Sequence, residues 1–233
     1  MQVKILAVAT LTLLVGISAQ GAIADDPPAA RFAEEIHVFG VEDEVYPPPA
    51  CATLFVGSSS IRFWFHLRDD FAEQRTIRRG FGGATIPDVN FYFDAVIGKY
   101  SPARIVFYAG ENDLNAGRPV DEVFHEFIKF LDLKDRALGS TPVYFVSAKP
   151  SVARLSDLGR QEALNRKISA LADERADLAY VDIASPMLKE GSPDPALFIS
   201  DQLHMRAGGY EIWREVIQHA LDEDDVSEAQ YCR

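Results

Sequence analysis

Between residues 51 and 221 the chain alternates short apolar runs with stripes of helical spacing, and this alternation restricts the fold more than any other feature. The runs are Thr53-Leu54-Phe55-Val56, Thr76-Ile77 to Gly80, Arg104-Ile105-Val106-Phe107-Tyr108, Pro142 to Ser147 and Leu178 to Ile183. Each is short and rich in β-branched or aromatic residues, as expected of strands covered on both faces. Between them, apolar residues recur in steps of three and four. The stripes are Val89, Phe93 and Val96-Ile97; Val120, Val123-Phe124, Phe127-Ile128 and Leu131; Leu164, Ile168 and Leu171; and Tyr210, Trp213, Val216-Ile217 and Ala220-Leu221. Such stripes are the core faces of amphipathic helices. Repeated βα units predict an α/β fold with three α/β/α layers around a five-stranded parallel sheet. All strands of such a sheet end on one edge, where open α/β sheets bind ligands.

The rest of the chain is organised around this domain. Lys4, the 13-residue apolar run Ile5 to Ile17 and the small residues Ala22-Ile23-Ala24 form the pattern of an export signal, residues 1–24. The run is short of the ~20 residues that span a bilayer, so no stable membrane insertion is expected after cleavage. The mature chain is then expected in an exported, periplasmic or extracellular, compartment. Residues 25–50 read as an N-terminal arm between Pro27-Pro28 and Pro47-Pro48-Pro49, with a short helix in Arg31 to Phe39. Residues 51–221 form the domain, and residues 222–233 an acidic tail. Cys51 and Cys232 are the only cysteines and, in an oxidising compartment, are candidates to pair. Such a bond would constrain the unfolded chain by about 4–5 kcal/mol in the simple entropy model.

Formal charge is −12, and removal of residues 1–24 takes away one lysine and no acid. So acidic a chain argues against nucleic acid and anionic membrane surfaces as partners. No His/Cys/Asp/Glu cluster has metal-ligand spacing, and no metal or other cofactor is expected.

Chemistry-bearing residues gather in loops after the strands. They are Gly57-Ser58-Ser59-Ser60-Ile61, Gly80-Phe81-Gly82-Gly83-Ala84-Thr85, Gly110-Glu111-Asn112-Asp113 and, after the fifth strand, Ser200-Asp201-Gln202-Leu203-His204. A serine hydroxyl becomes a nucleophile when a base takes its proton, and that base is usually histidine. A carboxylate fixes the imidazole tautomer and stabilises the imidazolium. N–H donors must then meet the developing oxyanion. Asp201 and His204 are spaced so that the carboxylate reaches Nδ1 while Nε2 faces a serine. Asn112 offers a side-chain N–H, and Gly83 and Ser59 offer backbone N–H groups. Of the five histidines, only His204 combines a nearby acid with a loop of this kind. The serine loop lacks the lysine of a phosphate-binding P-loop. Asp113 reads as a loop-holding residue. Phe63, Trp64, Phe65 and Phe81 read mainly as core with some share in a pocket. Lys149 reads as touching substrate or reaching solvent.

These four blocks, in this order, resemble those of SGNH (GDSL-like) hydrolases over roughly residues 53–221. The resemblance implies the flavodoxin-like layout and a serine esterase. Ser59 would be nucleophile, His204 base and Asp201 its partner, with Gly83 and Asn112 completing an oxyanion hole with the Ser59 amide. It also implies a small-molecule, lipid or acetylated carbohydrate ester as substrate, with a lean to a small acyl group because no long apolar lid is visible. Ser58 stands where the family often has Asp, and Ser60 is the alternative nucleophile. A binding protein that retains the fold without catalysis is the reading from a different class. Oligomeric state is left open.

Overall fold

The computed structural model describes residues 31–223, so the expected export signal, residues 1–24, and most of the acidic tail lie outside the described residues. Five strands, β1 (Thr53–Gly57), β2 (Thr76–Gly80), β3 (Arg104–Tyr108), β4 (Val143–Val146) and β5 (Leu178–Val181), form one sheet in the order β2-β1-β3-β4-β5. All pairings within it are parallel. This is the doubly wound order 2-1-3-4-5 of flavodoxin-like folds.

The sheet divides the core in two because successive strand residues face opposite sides. Leu54, Val56, Ile105, Phe107, Val143 and Phe145 pack into one cluster. Phe55, Val106, Tyr108, Tyr144 and Val146 pack into the other. The first cluster is covered by α7 (Val120–Leu138), α8 (Leu158–Ala172) and the short α4 (Ile86–Phe91) and α5 (Phe93–Val96). The second is covered by α9 (Ala207–Asp222) and by the turns α2 (Ser59–Arg62) and α3 (Leu67–Asp70). A last short helix, α6 (Glu111–Asn115), follows β3. The stripe Val89, Phe93, Val96-Ile97 is buried as expected, but it spans two helices instead of one. The backbone tightens at their junction, Tyr92 (φ −93°, ψ 14°).

The arm helix α1 (Ala33–Val45) runs beyond the expected Phe39 and ends just before Pro47, whose ring cannot continue a helix. Phe32 sits in the core against Phe81, with Ile36 and Phe39 packed beside it. Asp43 pairs with Arg79 and, at 2.7 Å, with Lys99. Cys51 is not a free thiol; its expected partner, Cys232, lies outside the described residues. Among the described residues, no helix is long and apolar enough to cross a membrane.

Register delivers the site loops to one place. Gly57 pairs with both Gly80 and Tyr108, so β1, β2 and β3 end at the same level. Gly57 has φ +136°, and a Cβ there would lie 1.8 Å from the Tyr108 carbonyl oxygen. Only glycine permits that turn and that closeness to β3.

Candidate active site

Ser58 caps α2, and its Oγ accepts the Ser59 N–H at 2.6 Å. Ser59 opens the helix and is half-buried at the rim of the sheet. Ser60 is 2 % exposed and packs inward, which removes it from solvent and substrate. The Ser59 Oγ meets His204 Nε2 at 3.0 Å, across 145 residues of sequence.

His204 is positioned by a tight turn and not by the end of β5 itself. Between β5 and this turn the chain inserts a small hairpin, β6 (Leu188–Lys189) and β7 (Ser192–Pro193), flanked by 3-10 turns. Phe198 then bridges Met205, and the Ile199 N–H donates to the His204 carbonyl at 2.8 Å. Gln202 takes a left-handed conformation (φ 56°) between them. The Asp201 Oδ2 lies 2.6 Å from His204 Nδ1, while its Oδ1 accepts the N–H groups of Leu203 and His204, both at 2.9 Å. Partial burial pushes the Asp201 carboxyl up, but the bonds from the His204 ring and the two backbone N–H groups outweigh it. They hold the carboxyl at about 2. Phe63 packs edge-on against the imidazole, with ring centroids 5.0 Å apart.

The donor side comes from β2 and β3. Gly83 (φ +78°) turns the chain before α4, and its N–H has no acceptor among the described residues. The arm fixes this turn, since Arg31 donates to the Gly83 carbonyl at 3.3 Å and Glu35 accepts the Gly82 N–H at 3.2 Å. Asn112, in the first turn of α6, donates through Nδ2 to the Ala84 carbonyl at 2.8 Å and to Ser58 Oγ at 2.9 Å. Asp113 is fully buried and accepts the Ile86 N–H at 3.1 Å, tying α6 to the start of α4. Burial pushes its carboxyl up to about 7, against the lowering effect of the Ile86 bond.

Ser59, Gly83, Asn112, Asp201 and His204 thus meet at the carboxyl edge. An imidazole placed so can take the serine proton at Nε2 while the carboxylate holds Nδ1–H. Lys149 departs from its expectation. It is 1 % exposed and does not reach solvent; it donates to the Leu203 carbonyl at 2.8 Å and lies 3.6 Å from Glu111. Arg154, which the sequence does not single out, touches both Glu111 and Asn112. Residue spacing gives no hint of it, because its reach is set by a kink in the 3-10 segment Val152–Asp157.

Beside His204 opens a cavity of about 660 Å³, mostly apolar, lined among others by Phe63, Trp64, Phe65, Ile199, Met205 and Tyr210. Of the aromatics singled out in sequence, Trp64 and Phe81 are buried, whereas Phe65 is 74 % exposed at the cavity mouth.

The sequence profile of the GDSL-like lipase/acylhydrolase family matches residues 55–212, from β1 into the last helix. The chain belongs to that family. As a GDSL-like hydrolase it shares its fold with several solved structures. A GDSL-like lipase from Bacteroides thetaiotaomicron superposes with a TM-score of 0.70 at 22% identity, over 82% of this chain and 98% of that one. A carbohydrate esterase of family 3 from Talaromyces cellulolyticus gives 0.61 at 16% identity, over 76% and 100%. A lipase/acylhydrolase from Enterococcus faecalis gives 0.59 at 19% identity, over 72% and 95%. A search among curated proteins gives no match.

Proposed function

We propose that this GDSL-like hydrolase is an exported esterase that cleaves carboxylic esters through an acyl-serine intermediate. The observation that carries the reading is the 3.0 Å approach of His204 Nε2 to Ser59 Oγ, with Asp201 behind the ring. His204 takes the Ser59 proton as Oγ attacks the ester carbonyl carbon. The tetrahedral oxyanion takes hydrogen bonds from the Ser59 and Gly83 N–H groups and from Asn112 Nδ2. Its collapse breaks the C–O bond, and His204 returns the proton to the departing alkoxide, which leaves as an alcohol. Water, deprotonated by the same imidazole, then attacks the acyl-serine; the acyl–Oγ bond breaks, His204 returns the proton to Ser59 Oγ, and the acid is released.

The apolar cavity touching His204 favours an ester with one apolar arm of several carbons over the small acyl group expected from sequence. A lipid or other small-molecule ester fits it better than an acetylated sugar, although a carbohydrate esterase is among the structural neighbours. Export rests on residues 1–24 alone, which lie outside the described residues.

The test is turnover of p-nitrophenyl esters from acetate to decanoate. Activity that rises with chain length and falls about 10³-fold or more in Ser59→Ala supports the reading. Unchanged turnover in Ser59→Ala removes it.

A further inference from the structure

An amide side chain presents a donor or an acceptor according to which way it is turned. Asn112 must turn its Nδ2 toward the serine if it is to meet an oxyanion. Two partners enforce that orientation. The Ala84 carbonyl can only accept, and it takes one Nδ2 hydrogen at 2.8 Å. The Arg154 guanidinium can only donate, and it reaches Asn112 Oδ1 at 2.9 Å. Neither can reverse its role, so the amide is keyed from both ends.

Arg154 is itself held. Its other nitrogen donates to Glu111 Oε1 at 2.8 Å, and its side chain is 13 % exposed. Glu111, buried, also accepts from Tyr108 Oη and lies 3.6 Å from Lys149 Nζ. The backbone gives way at Arg154, which has φ −122° and ψ 32° inside an otherwise helical segment and so aims its side chain inward. The same segment grips the other half of the site. Ala153 N–H donates to the Gln202 carbonyl at 3.0 Å, and Lys149 donates to the Leu203 carbonyl at 2.8 Å. One stretch, 149–154, therefore contacts both the loop bearing Asn112 and the loop bearing Asp201 and His204.

We infer that Arg154 is a positioning residue that turns the Asn112 amide toward the oxyanion and strengthens its N–H as a donor, resting on the esterase reading above. A charged donor on Oδ1 draws electron density from the amide, and hydrogen bonds in such chains reinforce one another. Arg154 acts through Asn112 and touches no reacting atom.

The experiment is a double-mutant cycle on the full chain with p-nitrophenyl butyrate, using Arg154→Ala, Arg154→Lys, Asn112→Ala and both combinations. Because Arg154 supplies only part of what the Asn112 donor supplies, Arg154→Ala should lower kcat by about 10- to 30-fold and move KM by less than about 3-fold. In the Asn112→Ala background the same change should cost less than about 3-fold. Arg154→Lys keeps a cation against Glu111 and should fall between wild type and Arg154→Ala; if Arg154→Ala does not fold, the Lys cycle alone decides. Losses that multiply across the two positions, or a folded Arg154 variant with unchanged kcat, overturn the inference. If Ser59→Ala retains turnover, the esterase reading has failed first; if Ser59→Ala and Asn112→Ala abolish it and the Arg154 variants do not, only this inference fails.

Discussion

Asn112 Nδ2 and Ser58 Oγ lie 2.9 Å apart, and the same hydroxyl accepts the Ser59 N–H at 2.6 Å. Ser58 thus holds two of the three donors that an oxyanion would use, and substrate must draw them away. Ser58→Ala should free both. Asn112 keeps Ala84 and Arg154, so its orientation survives. The expected result is kcat/KM at or above wild type, with about 1 kcal/mol of stability lost with the cap. Steady-state kinetics and thermal melting check this, and a tenfold fall in kcat would contradict it.

Asp113 predicts a pH effect on stability. Its buried carboxyl titrates at about 7 in the folded chain and near 3.8 in the unfolded one. A raised pKa means that its stability is fully present below about 3.8 and is lost as pH rises through about 7. Asp201 works in the opposite sense, since its carboxyl is held at about 2. Its contribution is complete above about 4 and lost as pH falls toward 2. Asp113→Asn should therefore gain on wild type between pH 4 and 8, with the Tm gap shifting by about 8–16 °C. A gap independent of pH would show that Asp113 stays ionised throughout.

The cavity beside His204 predicts chain-length selectivity. Ile199 is 41 % exposed at its wall and holds the His204 turn only through its backbone, which a side-chain change leaves in place. Ile199→Trp should lower kcat/KM for octanoate about 10-fold and leave acetate within about 2-fold. Equal losses on both esters would place the acyl chain elsewhere.

Gly57 carries a backbone prediction. Gly57→Ala sets a methyl group against the Tyr108 carbonyl and forces a side chain into φ +136°. The expected cost is about 3 kcal/mol or more, seen as a Tm fall of about 6–12 °C. A Tm within 2 °C of wild type would mean that β1 and β3 separate readily at this edge.

The parts legible in the sequence were those that repeat or stand close together. Strand runs at residues 104–108 and 142–147 were plain because a strand covered on both faces must be apolar throughout. Ser59 and His204 were legible because four short blocks occur in order. Asp201 was legible because three residues suffice for the carboxylate to reach the ring. Lys149 was misread because a lone lysine normally seeks water, and only the fold shows Glu111 and the Leu203 carbonyl facing it. Arg154 was missed because its partners lie 42 and 43 residues away. The cavity was legible only on one side, in Phe63, Trp64 and Phe65, because the rest of its lining comes from the distant segment 199–214.

The proposed esterase reaction requires that one hydroxyl, on Ser59, become covalently acylated with His204 as its base. Intact-protein and peptide mass spectrometry after treatment with a p-nitrophenyl alkylphosphonate tests it directly. One adduct is expected, on Ser59, kept in Asn112→Ala and lost in Ser59→Ala and in His204→Ala. An adduct on another serine, or undiminished labelling of His204→Ala, would contradict it.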